Sequence, residues 1–447
     1  MDASKLSVLL SLYSEIAVGG LFRLLQRNLG MRVRDGIYTP RLLLWMMIQQ
    51  RLDGRGTLAS SVEQLVQGKF DGLLSRCKRV REKKISLATG GYCQARQNLP
   101  KLLVERSVEE ILQRLRNHLG ERLAGLQGPG YVVDGSTVQL ENQAELEAAY
   151  PATKNQHGKS HWPVVRIVVL HDVETGLAQP IRWGPVFGPG AVSEQALADQ
   201  AMEALPPKSV IIGDRNFGIF STAYRAQLRG HDVVIRLTAA RAQRLLGAEI
   251  SAPREYAVRW SASRWDGRGK PEAPPADAVV RGRLIARRVG RGKKKQWLYL
   301  FTTLPQPAQQ VVDLYGKRGN VETDLRNLKQ TVRLRRLAVQ SLDMMEKELM
   351  VAVVAYNLVR AIMCLAARQS GIHPRQLSFT WAHNIIQDGI ATVLAAPSEV
   401  EQVEQLQRIA DLVARCRLPR RRKHRSYPRE IWRPGFKYPV RREKKTK

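Results

Sequence analysis

Residues 315–329, Tyr-Gly-Lys-Arg-Gly-Asn-Val-Glu-Thr-Asp-Leu-Arg-Asn-Leu-Lys, constrain this chain more than any other stretch. No proline interrupts them, and Asp313 stands where an N-cap would, so the pattern predicts one helix. At about 100° per residue, Tyr315, Arg318, Glu322 and Lys329 fall at roughly 0°, 300°, 340° and 320°. They make one narrow polar stripe. Leu314, Val321, Leu325, Leu328 and Val332 fall beside it, at roughly 220° to 280°. Such a helix docks by its apolar stripe and holds a phenol, a guanidinium, a carboxylate and an ammonium along the rim of a groove. A solvated helix with incidental i, i+4 pairs is the plainer reading of any charged helix.

Two further residues weigh against the plainer reading. Residues 130–135, Gly-Tyr-Val-Val-Asp-Gly, read as an apolar strand ending at Asp134. Residues 209–218, Ser-Val-Ile-Ile-Gly-Asp-Arg-Asn-Phe-Gly, read as a second, ending at Asp214. Two carboxylates at strand ends and Glu322 on a helix make an all-oxygen set suited to a pair of Mg²⁺ ions, with Mn²⁺ able to substitute.

The spacing Tyr-x₂-Arg-x₃-Glu-x₆-Lys resembles the YREK signature of bacterial DDE transposases of the insertion-sequence-four family. Tyr315, Arg318, Glu322 and Lys329 match it without a gap, and Asp134 and Asp214 sit where that family's first two catalytic aspartates would. The likeness covers about 130–370 well and the N-terminal region more loosely. It implies a ribonuclease H-like catalytic core interrupted by a β-rich insertion. Asp134 would bridge two metal ions that Asp214 and Glu322 complete. Arg318 and Lys329 would grip phosphates and Tyr315 would hydrogen-bond one. It also implies cleavage at transposon ends and strand transfer into target DNA, with a hairpin intermediate in several relatives. A tryptophan of the relatives' insertion stacks on a flipped base, and Trp297 lies a similar distance before Glu322. Against that role, Trp297, Tyr299 and Phe301 alternate as one face of a strand. Many relatives carry Trp after the signature arginine, where this chain has Gly319.

Composition agrees with a DNA partner. Lys and Arg number 72 against 40 Asp and Glu, a net charge of +32, and the pI is near 10.5. Such a chain favours a polyanion. No basic amphipathic helix with a wide apolar face points to a membrane surface, and no stretch reads as a span of about 20 apolar residues. With no export signal at the N-terminus, the protein is expected in the cytosol. Cys77, Cys93, Cys364 and Cys416 are scattered without zinc-ligand spacing and read as reduced.

In chain order, 1–125 reads as an all-α DNA-binding or dimerisation domain. Thr39-Pro40 and Thr57 open two of its helices, 6–29 is another helical run, and a basic turn at 78–84 precedes a long helical stretch from 85. Gly128-Pro129-Gly130 marks a boundary. Residues 126–237 alternate strands and helices as the first part of the core, and 304–372 form the second. Residues 238–303 do not fit that core and read as the β-rich insertion. Residues 373–447 read as a helical region, with a helix over 398–416 and a basic tail from Arg420 suited to DNA backbone. Arg215 is a candidate phosphate contact or a surface ion pair. His157, His161 and His171 suggest a metal cluster, but no carboxylate or cysteine pattern completes it. The leading function is a cut-and-paste transposase working as a homodimer on two transposon ends. The alternatives are a stand-alone structure-selective nuclease, or a DNA-binding inhibitor of transposition that has lost catalysis.

Overall fold

The first described helices begin where local chemistry places them. Thr39 caps Pro40–Leu52, its hydroxyl accepting from the Leu42 amide at 3.3 Å, and Pro40 fills the first turn, where a missing amide costs nothing. Thr57 caps Leu58–Val66 through the Ser60 amide at 3.0 Å. Pro100 divides the run from 85 into Gly90–Asn98 and Lys101–Leu119. The computed structural model describes residues 27–28, 30, 36–121, 123–152, 154–155, 158–159, 161–263, 274–290, 296–396 and 398–419. The tail from Arg420, and nearly all of the run 6–29, lie outside them.

Beyond the Gly-Pro-Gly turn the chain builds a mixed sheet. In chain order the strands are β1 (Gly130–Leu140), β2 (Lys154–Asn155), β3 (Gly158–Lys159), β4 (Val164–Asp172), β5 (Arg182–Pro185), β6 (Val210–Gly213), β7 (Asp232–Leu237), β8 (Arg254–Ser261), β9 (Val279–Val289), β10 (Gln296–Thr302) and β11 (Arg336–Leu337). Strands β2 and β3 form a separate hairpin. The main sheet runs β5-β4-β1-β6-β7-β10-β9-β8, with β11 beside β1. Strands β5, β4 and β1 are antiparallel neighbours, whereas β1, β6 and β7 are parallel. Helices Glu194–Met202 and Phe220–Leu228 pack on one face. Ala308–Gly316 and Leu342–Gln369 pack on the other. A helical N-terminal region, this sheet with its helices, and a helical C-terminal segment are consistent with a ribonuclease H-like core and its flanks.

Four expectations change. Asp134 does not end its strand: β1 runs on to Leu140 because β4 stays paired with it as far as Gln139, long after β6 has stopped. The 238–303 stretch does not stand apart from the core sheet. Its strand β10 pairs antiparallel with β7, Tyr299 opposite Leu237 and Phe301 opposite Ile235, so β8–β10 extend the same sheet. Helix Phe379–Ala395 was not foreseen. Its interior Gly389 weakens the helical signal, yet it lets the facing helix Glu399–Ala414 pack closely: a Cβ there would lie 2.9 Å from the Ile409 side chain, which would have to shift. Finally, Leu342–Gln369 is long and apolar enough to cross a membrane, but its apolar window is wholly buried inside the protein. It is apolar all round because N-terminal helices, the sheet and C-terminal helices pack against it.

Candidate active site

The site forms where β1 and β6 part. Val132 pairs with Ile212 in parallel register as the last pair of the two strands, and Asp134 and Asp214 each follow two residues later, Asp214 just past the end of β6. Val132 and Ile212 belong to the apolar layer under Ala308–Gly316. Side chains alternate along a strand, so Asp134 shares the face on which that helix packs, and the Asp214 charge acts on it from the end of β6.

The signature segment is not one helix. Ala308–Gly316 begins after Pro307, so Asp313 lies inside it and caps nothing. A second helix, Gly319–Arg326, runs into a π-helical turn, Asn327–Thr331. At the junction the amides of Lys317, Arg318, Asn320 and Val321 donate to carbonyls three residues back, at 3.0–3.1 Å. Gly316 and Gly319 flank this tightened turn and lower the cost of leaving α geometry.

The four signature side chains still meet one groove. The Arg318 guanidinium lies 3.6 Å from the Asp214 carboxylate and 3.3 Å from that of Glu322. Its charge also acts on Asp134 and on Tyr315. The Lys329 ammonium donates to Ser136 Oγ at 2.8 Å, two residues past Asp134 on the same side of β1. Burial lowers the Lys329 pKa. Tyr315 is buried; burial raises its pKa, and the nearby guanidiniums of Arg318 and Arg236 oppose the rise. Burial pushes Asp134 up to about 6, against the Gly135 amide and Arg318 and with help from Asp214 and Glu194.

Several neighbours escaped the sequence reading. Glu194, capped by Ser193 at the start of its helix, lies against Gly135 so closely that a Cβ there would come 2.5 Å from its carboxyl carbon. Asn216 ties it to Asp214: its side-chain amide donates to Glu194 at 2.5 Å and its backbone amide to Asp214 Oδ1 at 2.8 Å. Arg241 donates to the Arg215 and Gly218 carbonyls at 2.9 and 3.1 Å and so holds the loop after Asp214. Nothing in the sequence separates Glu194 from any first-turn acid.

The remaining candidates fall in different places. Arg215 is exposed and pairs with no carboxylate among the described residues. Trp297 is half-buried on β10, stacked on Tyr299 at 5.7 Å with the Arg288 guanidinium 4.8 Å over its ring. His171 is a core residue, edge-on to Tyr356 at 5.6 Å and lowered by burial to about 4. His161 meets Asn142 and Trp162 instead, and His157 lies outside the described residues. No disulfide joins the cysteines among the described residues.

The acids suit a hard divalent cation in donor type and charge. Among the described residues no three of His, Cys, Asp and Glu stand close enough to ligate one ion. The Arg318 guanidinium supplies the positive charge between Asp214 and Glu322.

A family model described as "Transposase DDE domain" matches residues 125–358, more than half of the chain. The chain therefore belongs to the DDE transposase family, whose enzymes bind transposon-end DNA and generally use divalent metal ions. It is similar to "Transposase InsG for insertion sequence element IS4" of Escherichia coli (strain K12), at 24% identity over 368 residues covering 79% of this chain and 78% of that protein. The chain is a transposase of an insertion-sequence-four family element, as the Tyr-Arg-Glu-Lys spacing implied.

Proposed function

We propose that this transposase moves its element by a cut-and-paste route, with Asp134, Asp214 and Glu322 as the catalytic carboxylates. One observation carries the assignment. Asp134 on β1 and Asp214 just past the end of β6 each follow the last β1–β6 pair by two residues, and Arg318 joins Asp214 to Glu322 of the signature segment. The three acids would hold two Mg²⁺ ions, or Mn²⁺. Bound there, the ions supply Lewis-acid stabilisation of the attacking and leaving oxygens in an in-line displacement. Arg318 then exchanges its carboxylates for a phosphate near the cleaved bond, where a planar fork binds well. Lys329, aligned on Ser136, and the Tyr315 hydroxyl reach neighbouring phosphates. Arg215 extends the same basic rim. Stacking of a flipped base on Trp297 requires Arg288 to leave its ring, and a hairpin intermediate would draw on that stacking.

In this reading 126–237 and 304–372 are the two parts of a ribonuclease H-like core, and 238–303 are an insertion that widens its sheet. Residues 1–125 and 373–447 flank the core, the basic tail follows DNA backbone, and a homodimer in the bacterial cytoplasm pairs two ends. Glu322→Gln tests the assignment, because Gln keeps the shape and helix propensity of Glu and removes one charge. End binding should be kept. Cleavage of an end duplex in Mg²⁺, read on a denaturing gel, should fall by roughly three orders of magnitude or more. Cutting at the parental rate would leave the segment a phosphate-binding element only.

A further inference from the structure

Past Lys329 the chain passes through Arg333 and enters β11, where Arg336 pairs with Gln139 of β1. A cavity of about 540 Å³ opens there, between this segment, the start of Leu342–Gln369 and the N-terminal helices. Arg51, Arg96, Arg333, Arg336 and Glu348 are among its lining residues. Arg51 Nε donates to Glu348 at 2.6 Å, and Arg96 pairs with the same carboxylate. Glu141 pairs with Arg336 at 3.0 Å without lining the cavity. Three of these guanidiniums therefore pair with two carboxylates, Arg333 pairs with none among the described residues, and two positive charges are left over.

One charge of that surplus lies out of water, at the Arg51 and Arg96 side chains that share Glu348, 12% and 8% exposed; buried Arg96 Nε has no hydrogen-bond partner among the described residues. Arg333 and Arg336 are exposed at the mouth, where a ligand can reach them. Burying unbalanced charge is costly unless an anion offsets it. Arg333 adopts a left-handed backbone, φ 59°, rare for a residue with a side chain. Its guanidinium reaches the Arg55 carbonyl at 2.7 Å, while Arg51 donates to the Arg333 carbonyl at 3.1 Å. These two hydrogen bonds fix the N-terminal helices to the segment that leaves the signature.

We propose that this cavity binds one backbone phosphate of the DNA strand held at Asp134, with Arg333 and Arg336 as donors. The inference rests on the end-DNA reading above. Gln139 lies five residues along β1 from Asp134, about 17 Å at the rise of a strand. Successive phosphates of one strand lie about 7 Å apart, because each 3.4 Å of axial rise comes with a rotation about the axis, which puts the bound phosphate about two or three nucleotides from the cleaved bond.

The test uses the full-length protein and fluorescence-labelled duplexes carrying the element's end, each with one neutral methylphosphonate placed about one to four nucleotides to either side of the cleaved bond. One position should weaken binding about tenfold, as expected when a charge-assisted hydrogen bond is removed. Arg333→Gly, which also relieves the left-handed backbone, and Arg336→Ala should each weaken unmodified duplex by a similar factor. Each should flatten the slope of log affinity against log salt by about 0.9 for every phosphate no longer neutralised. In both variants the sensitive methylphosphonate should become silent. Equal affinity of the parent protein for every substituted duplex overturns the proposal, and so does an unchanged salt slope in both variants. Inorganic phosphate that competes as well as the duplex at equal concentration would mark a free-anion site and overturn it too. If the parent protein binds no end duplex, the functional reading falls with it.

Discussion

At Asp134 burial outweighs the stabilising Gly135 amide and Arg318, and the carboxyl stands near 6. In the unfolded chain it returns to about 3.9, so between those values the folded form holds the extra proton. Ionisation of this group therefore weakens the fold: the penalty is absent below about pH 4, grows as pH rises and is complete above about 6. Asp134→Asn should raise metal-free stability at pH 7.5 by roughly 1–2 kcal/mol, and the gain should shrink steadily as pH falls towards 4. Calorimetry in chelator across that range measures it, and an equal or lower melting temperature at pH 7.5 would contradict the burial argument. Asp324 shows the opposite balance. Burial alone would raise it, but Arg360 and Arg375 clamp it and hold it below the usual range. Two residues from exposed Glu322, it grips the core while Glu322 faces the groove.

The short helix Gly319–Arg326 sets where Glu322 stands, and it opens on glycine, a poor helix former. A Cβ added at Gly319 would meet nothing within 4 Å, and its backbone is not left-handed. Gly319→Ala should therefore stabilise the protein by about 0.4–1 kcal/mol, chiefly by restricting the unfolded chain. Urea unfolding should show the midpoint move up. A drop would mean that the junction after Gly316 samples backbone angles closed to alanine.

One apolar cluster joins the N-terminal helices, the far half of β1, Leu342–Gln369 and the C-terminal helices. At its edge Glu348 is clamped by Arg51 and Arg96, from 297 and 252 residues away in sequence. Glu348→Gln would leave two nearly buried guanidiniums without their counter-charge. It should cost about 3–5 kcal/mol in chemical unfolding. A loss below about 1 kcal/mol would show that water already reaches the pair at the level of a surface ion pair.

The sequence alone was enough for the chemistry carried by short-range pattern. The Tyr-Arg-Glu-Lys spacing named the family, and the apolar runs before Asp134 and Asp214 marked two strands that lie side by side. Thr39, Thr57 and Ser193 act as caps because capping is settled within four residues. What depended on distant neighbours was not legible. Strand β1 outruns Asp134 because β4 supports it, β8–β10 join the core sheet because β7 offers its edge, and the break after Gly316 lies inside what reads as an unbroken helix. Glu194 and Asn216 entered the site, and Asp324 met Arg360 and Arg375, only when separate segments packed together. Local propensity and periodicity are written in consecutive residues, whereas register, burial and the pairing of charges are decided by whichever surfaces the fold brings into contact.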